Sequence, residues 1–169
     1  MRYEFDGFQP VAMVGGSAAH AAVQRNLLSA LTVRLRGKRC QPYGSDLKIE
    51  AAGGIRYPDA FVVCTKVAHD ANVIHDPVVI FEVLSPNTAR VDRVTKNAEY
   101  RATASVQRYV MLEQDSQAAT VFAREGERWV GSLLTGDTVL AMPEIGIEVP
   151  LVELYEGLDL TEAAEQPGA

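Results

Sequence analysis

The sequence is short of basic charge. Its 16 Lys and Arg stand against 22 Asp and Glu, a formal net charge of −6 with an isoelectric point near 5.1. A broad, non-specific phosphate-binding surface is usually basic, so this balance counts against that class while leaving room for a small basic cleft. Cysteine is scarce too. Cys40 and Cys64 are too few for a disulfide scaffold and lack the C-x-x-C spacing of metal ligands. No apolar run approaches the roughly 20 residues of a membrane span. The opening Met1-Arg2-Tyr3-Glu4-Phe5-Asp6 lacks the basic-then-apolar plan of a signal peptide, so a cytoplasmic protein is expected. His20, His69 and His75 make no zinc pattern, and Gly15-Gly16 and Gly53-Gly54 lack the spacing of phosphate-binding loops. A G-x-S-x-G frame is also missing, which removes the hydrolase elbow.

What remains is an ordinary globular composition, 47% apolar and 22% charged over 169 residues, long enough for one domain with one core. Residues 1–16 read as a strand or hairpin ending in a turn. Ser17 is a plausible N-cap for a helix to about Arg36, with Val23, Leu27, Leu28, Leu31 and Leu35 at helical spacing and Gly37 placed to stop it. Residues 45–50 alternate as a half-buried strand, and 60–64 and 78–84 are apolar enough to be covered on both faces. A polar helix is expected from Thr88 to about Ala104. Strands follow at about 107–113, 118–124, 129–134 and 145–149, then a helical turn over 151–155. Together these predict one α/β domain over 1–160, with 161–169 a flexible tail.

Two acids break the apolar strands. Asp59 immediately precedes 60–64, and Glu82 interrupts 78–84. A carboxylate in such a run costs several kcal/mol or more unless it is paired or bound to a cation, so two from neighbouring strands suit Mg²⁺ or Mn²⁺, with the Val83 carbonyl as a further ligand. The bland alternative is that each meets an Arg or a helix N-terminus. Lys96 lies fourteen residues beyond Glu82, and Asp92, Lys96 and Tyr100 share one face of the helix. Its ammonium can orient an attacking water or neutralise charge on a phosphate, or it can simply pair with Asp92 on the surface. Asp46, on the polar face of its strand, is a weaker candidate ligand. His20, near the start of the first helix, is a candidate phosphate or water contact, Tyr100 a hydrogen-bond donor near Lys96, and Glu4 is weaker still. Arg90, Arg93, Lys96 and Arg101 can supply a local positive field, while the Arg34, Arg36, Lys38 and Arg39 cluster reads as helix-dipole chemistry.

Tyr57-Pro58-Asp59, Glu82-Val83-Leu84-Ser85-Pro86-Asn87-Thr88 and Asp92-Arg93 with Lys96 and Tyr100 resemble the Uma-two family of bacterial restriction endonucleases, within the PD-(D/E)XK nuclease superfamily. The likeness extends to Gly15-Gly16-Ser17 with His20, to Ser45-Asp46 and to Pro150-Leu151. It implies a restriction-endonuclease-like mixed β-sheet core flanked by helices, with additional antiparallel strands. It also implies a metal-dependent DNA endonuclease with Asp59 and Glu82 as metal ligands, leaving a 5′-phosphate. The superfamily lysine normally stands two places after the acid, where this chain has Leu84; the family's shift of that lysine to the next helix points to Lys96. Asn87 replaces the usual Ser, and 101–105 lacks an Ile-Pro step. A small duplex cutter is expected to act as a homodimer, with Trp129 and Tyr109 offered as its interface. The competing class is a non-enzymatic interaction module on the same fold, favoured by the net charge and by the absence of a separate DNA-reading motif.

Overall fold

A computed structural model describes residues 2–13 and 15–160; the expected tail, 161–169, lies outside the described residues. The chain opens with a hairpin, β1 (Tyr3–Phe5) and β2 (Pro10–Ala12), followed by helix α1 (Ala18–Leu35). The Ser17 hydroxyl accepts the His20 N–H at 3.1 Å, the expected N-cap, and Gly37 takes φ +74 just past the helix end. β3 (Gln41–Gly44), β4 (Lys48–Ala51), β5 (Gly54–Arg56) and β6 (Ala60–Val63) follow, then a short β7 (Val73–Ile74) and β8 (Val79–Leu84).

The expected polar helix is present but not uniform. α2 (Ala89–Val91) and α3 (Asn97–Ala102) flank a wide π-helical turn over Asp92–Lys96. The second half is β9 (Arg108–Glu113), β10 (Ala118–Glu125), β11 (Arg128–Thr135), β12 (Val139–Met142) and β13 (Ile147–Pro150), closed by a 3₁₀ turn at Leu151–Tyr155.

A six-stranded mixed sheet in the order β11-β10-β9-β8-β6-β3 forms the centre, antiparallel except where β8 and β9 run parallel. The helical segment supplies that crossover, as a parallel pair requires. Strand alternation sorts the core onto two faces. Val62, Phe81, Val83, Val110 and Leu112 pack with Leu27 and Leu31 of α1, whereas Phe61, Ile80, Tyr109 and Met111 pack with Tyr100 of α3 and Ile49 of β4. A second sheet, β2-β1-β5-β4-β7, brings the N-terminal hairpin to that latter region. This is the mixed α/β architecture expected from the sequence.

Three expectations need correction. Asp46 is not on a strand: it sits in the turn between β3 and β4, exposed and ion-paired with Arg2. Tyr109 cannot form an interface, because it is fully buried and donates to the Asp92 carbonyl at 3.1 Å. Lys96 is buried, Arg93 pairs with Glu113, and Arg101 stacks over Phe122 and Trp129, so these cations do not gather into one positive patch. Cys40 and Cys64, too few for a disulfide scaffold, are joined in a single disulfide. They extend the β3–β6 register by one pair beyond Gln41–Val63, forming one cross-strand staple.

Candidate active site

The pairing of β6 with β8 stops at Ala60 opposite Phe81, so Asp59 stands just past the end of its ladder. Its Oδ2 accepts the Val83 N–H at 2.7 Å. In an extended strand the N–H and C=O of one residue leave on the same edge, which puts the Val83 carbonyl on the edge facing Asp59. Gln24 of α1 fixes the Asp59 main chain by donating to its carbonyl at 2.9 Å and also reaches Ser45 Oγ at 3.2 Å. One helical turn earlier, His20 Nε2 lies 3.2 Å from Asp59 Oδ2. That hydrogen bond holds the imidazole above the usual histidine range, against the opposing effect of burial. The approach depends on Gly16: a Cβ there would meet the His20 ring at 2.7 Å.

Glu82 is in the middle of β8, on the face of Tyr100. Its Oε1 accepts from Lys96 Nζ at 3.0 Å and from the Tyr100 hydroxyl at 2.9 Å. Lys96 Nζ also lies 3.1 Å from Asp92 Oδ1 and 3.5 Å from Glu4 Oε1. Glu4, on β1, accepts the Tyr57 N–H at 3.0 Å and pairs with Arg56 at 3.2 Å. Arg56 in turn grips Glu99 with two hydrogen bonds of 2.8 and 2.7 Å. Burial pushes the Glu82 carboxyl up to about 8; Lys96 pulls against this, while Asp59, Asp92 and Glu4 push further in the same direction. Burial opposes the Lys96 charge, but Glu82, Asp92 and Glu4 outweigh it and hold the ammonium above the usual lysine range. Three acids, Glu82, Asp92 and Glu4, thus share one ammonium in this pocket.

His20, Gln24, Asp59, Glu82, Val83, Asp92 and Lys96 line one cavity of about 360 Å³. The structure therefore brings together the acid, acid and lysine picked from the sequence, adds His20 at its edge, and places Tyr100 behind Glu82. Asp46 stays outside this cavity. Gln24, the buried Asp92 and the anchoring role of Glu4 were missed. Gln24 has a signal in its i+4 spacing from His20, while Glu4 was named only as the weakest candidate because its partners are more than 50 residues away.

The family model described as "Putative restriction endonuclease", Uma2, matches residues 1–151. The chain belongs to this family. Two uncharacterized proteins of the cyanobacterium Synechocystis are similar along most of their length. One is 29% identical over 158 residues, covering 91% of this chain and 83% of the relative. The other is 26% identical over 140 residues, covering 79% of each. Among solved structures, the crystal structure of a putative nuclease belonging to DUF820 from Anabaena variabilis superposes with a TM-score of 0.75 at 17% identity, over 90% of this chain and 89% of that one. At that identity the likeness is one of fold. It spans nearly the whole chain, so this Uma2 protein shares the overall fold of that structure.

Proposed function

We propose that this Uma2 protein is a divalent-metal-dependent DNA endonuclease whose site is built from Asp59, Glu82 and Lys96. The observation that carries the reading is the convergence of an acid from a strand end, an acid from mid-strand and a buried lysine on one cavity of a nuclease-like fold. Among the described residues no three His, Cys, Asp or Glu side chains gather as a ready-made metal cage. Mg²⁺ does not ask for one: it is usually held through one or two carboxylates and keeps several waters. Asp59, Glu82 and the Val83 carbonyl form such a set of oxygen donors, and the surplus of negative charge around Lys96 suits a cation. Mg²⁺ or Mn²⁺ held there would supply Lewis-acid activation of water and neutralise phosphate charge.

The chain's own groups have separate duties. The Val83 N–H and His20 orient the Asp59 carboxylate, and the Tyr100 hydroxyl orients that of Glu82. The Lys96 ammonium offers positive charge at the cavity wall where an in-line displacement builds negative charge on the phosphate. A homodimer remains part of this proposal, because cutting both strands of a duplex asks for two sites. Its interface would lie at the exposed edge strand β11, which carries Trp129, and not at Tyr109. Sedimentation showing a monomer at working concentration removes the dimer. Cytoplasmic location, where the substrate is found, also belongs to the proposal; in that reducing compartment the Cys40–Cys64 pair would be expected as thiols.

One observation favours the inert-module reading: three carboxylates already surround the Lys96 ammonium. Supercoiled plasmid incubated with the protein and Mn²⁺ separates the two. Wild type is expected to nick or linearise it, and Asp59→Asn and Glu82→Gln to lose about 10²-fold or more in rate. A wild type that leaves the plasmid intact in both Mn²⁺ and Mg²⁺ sinks the nuclease reading.

A further inference from the structure

We propose that Asp92 is a positioning residue of this site, clamping the Lys96 ammonium against Glu82; the inference rests on the nuclease reading above. The sequence pairs Asp92 with Lys96 at i, i+4, where an exposed ion pair is the ordinary outcome. The structure instead buries both ends of the wide turn and exposes the three residues between them, Arg93, Val94 and Thr95. Such turns hold one residue more than an α-turn, are rare, and are frequent at functional sites. Asp92 is 1% exposed and lines the cavity.

Among the described residues, Asp92 Oδ1 is buried and meets no hydrogen bond of good geometry, yet the Lys96 ammonium lies 3.1 Å away. That oxygen has an opposite charge beside it and no hydrogen bond from the fold, where a buried carboxylate oxygen normally has one. Among the described residues, the partner of this oxygen is therefore the lysine. The ammonium in turn meets carboxylates from three separate elements: Glu82 on β8, Asp92 on the wide turn and Glu4 on β1. A lysine side chain has much rotamer freedom to lose, and three convergent charges remove it before substrate arrives. Asp92 thus acts through Lys96, touching neither metal nor phosphate.

Four proteins test this: wild type, Asp92→Asn, Lys96→Met and the double variant. In plasmid cleavage with Mn²⁺, Asp92→Asn is expected to lower kcat about ten- to a hundredfold with KM unchanged, and to cost nothing further once Lys96 is Met. Calorimetric Mn²⁺ affinity is expected to stay at the wild-type value. An equal loss in both backgrounds, an unchanged kcat, or affinity weakened by about tenfold or more, the mark of a direct ligand, overturns the proposal. Thermal unfolding reads the same coupling without turnover. Asp92→Asn should lower Tm in the wild-type background and raise it beside Lys96→Met, where it removes an uncompensated charge. Additive Tm changes overturn the inference even if wild type cuts nothing, an outcome that by itself counts only against the nuclease reading.

Discussion

Lys96 holds three carboxylates apart, and removing its charge leaves them facing one another in a buried setting. Breaking a buried pair on one side costs about 3 kcal/mol or more, so Lys96→Met should lower urea-unfolding stability by that order. A loss under about 0.5 kcal/mol would place the ammonium in solvent, as for an ordinary surface pair. The site also predicts an inverted pH profile. The ordinary value for the Glu82 carboxyl is 4.5, and the fold holds it at about 8. Between those values the folded chain keeps a proton that the unfolded chain has released, so stability falls as pH rises. The gain is complete below pH 4.5 and gone above about 8. His20, held above its ordinary 6.5, retains a proton in the same way, and its contribution fades as pH rises through its folded value. Urea unfolding in a chelating buffer at pH 5, 6.5 and 8 should therefore show the lowest stability at pH 8. A flat or rising trend contradicts the charge arrangement around Glu82.

At the scale of elements, the hairpin joining β4 and β5 turns through Ala52 and Gly53, both with positive φ, +47 and +83. That turn wants Asn-Gly or Gly-Gly, and an alanine in the left-handed region costs on the order of 1 kcal/mol. Ala52→Asn is expected to raise stability by about 0.5–1 kcal/mol in urea melts; a loss would mean that the turn is held for another reason. The Cys40–Cys64 staple closes a loop of 24 residues in sequence separation, so Cys40→Ser with Cys64→Ser should cost the oxidised protein about 3 kcal/mol and cost the reduced protein far less.

Legibility in the sequence followed the physics of each element. α1, β6 and β8 were visible because their periodicity and burial are local properties, and the Ser17 cap and Gly37 stop have one-residue signatures. β3 was missed because Pro42 and Gly44 are poor strand formers, tolerated there because β3 is the sheet edge. β7 is two residues long and exists only through its pairing with β4. The π-turn is invisible to a helical-wheel reading, which treats Asp92 to Tyr100 as one straight face. Asp59 and Glu82 were legible because charge beside or within apolar patterning is itself anomalous, whereas Lys96, on a polar helix, was singled out by the family resemblance. Gln24 was not, and Glu4 only faintly, since their meaning lies in partners brought near by the fold.

For the molecule as a whole, the net charge of −6 sets what the protein can do alone. The cations near the site are spent locally: Arg2 on Asp46, Arg93 on Glu113, Lys96 on its three acids. Unaided DNA binding should be weak and only shallowly salt-dependent, and the proposed divalent ion would reverse the local field at the cavity. The central claim is that Asp59 and Glu82 together make a cation site. Calorimetric titration of metal-free protein with Mn²⁺ tests it most directly, using wild type, Asp59→Ala and Glu82→Ala. Saturable binding in wild type that disappears in both variants is the predicted result. No binding in wild type, or binding that survives both substitutions, contradicts the account.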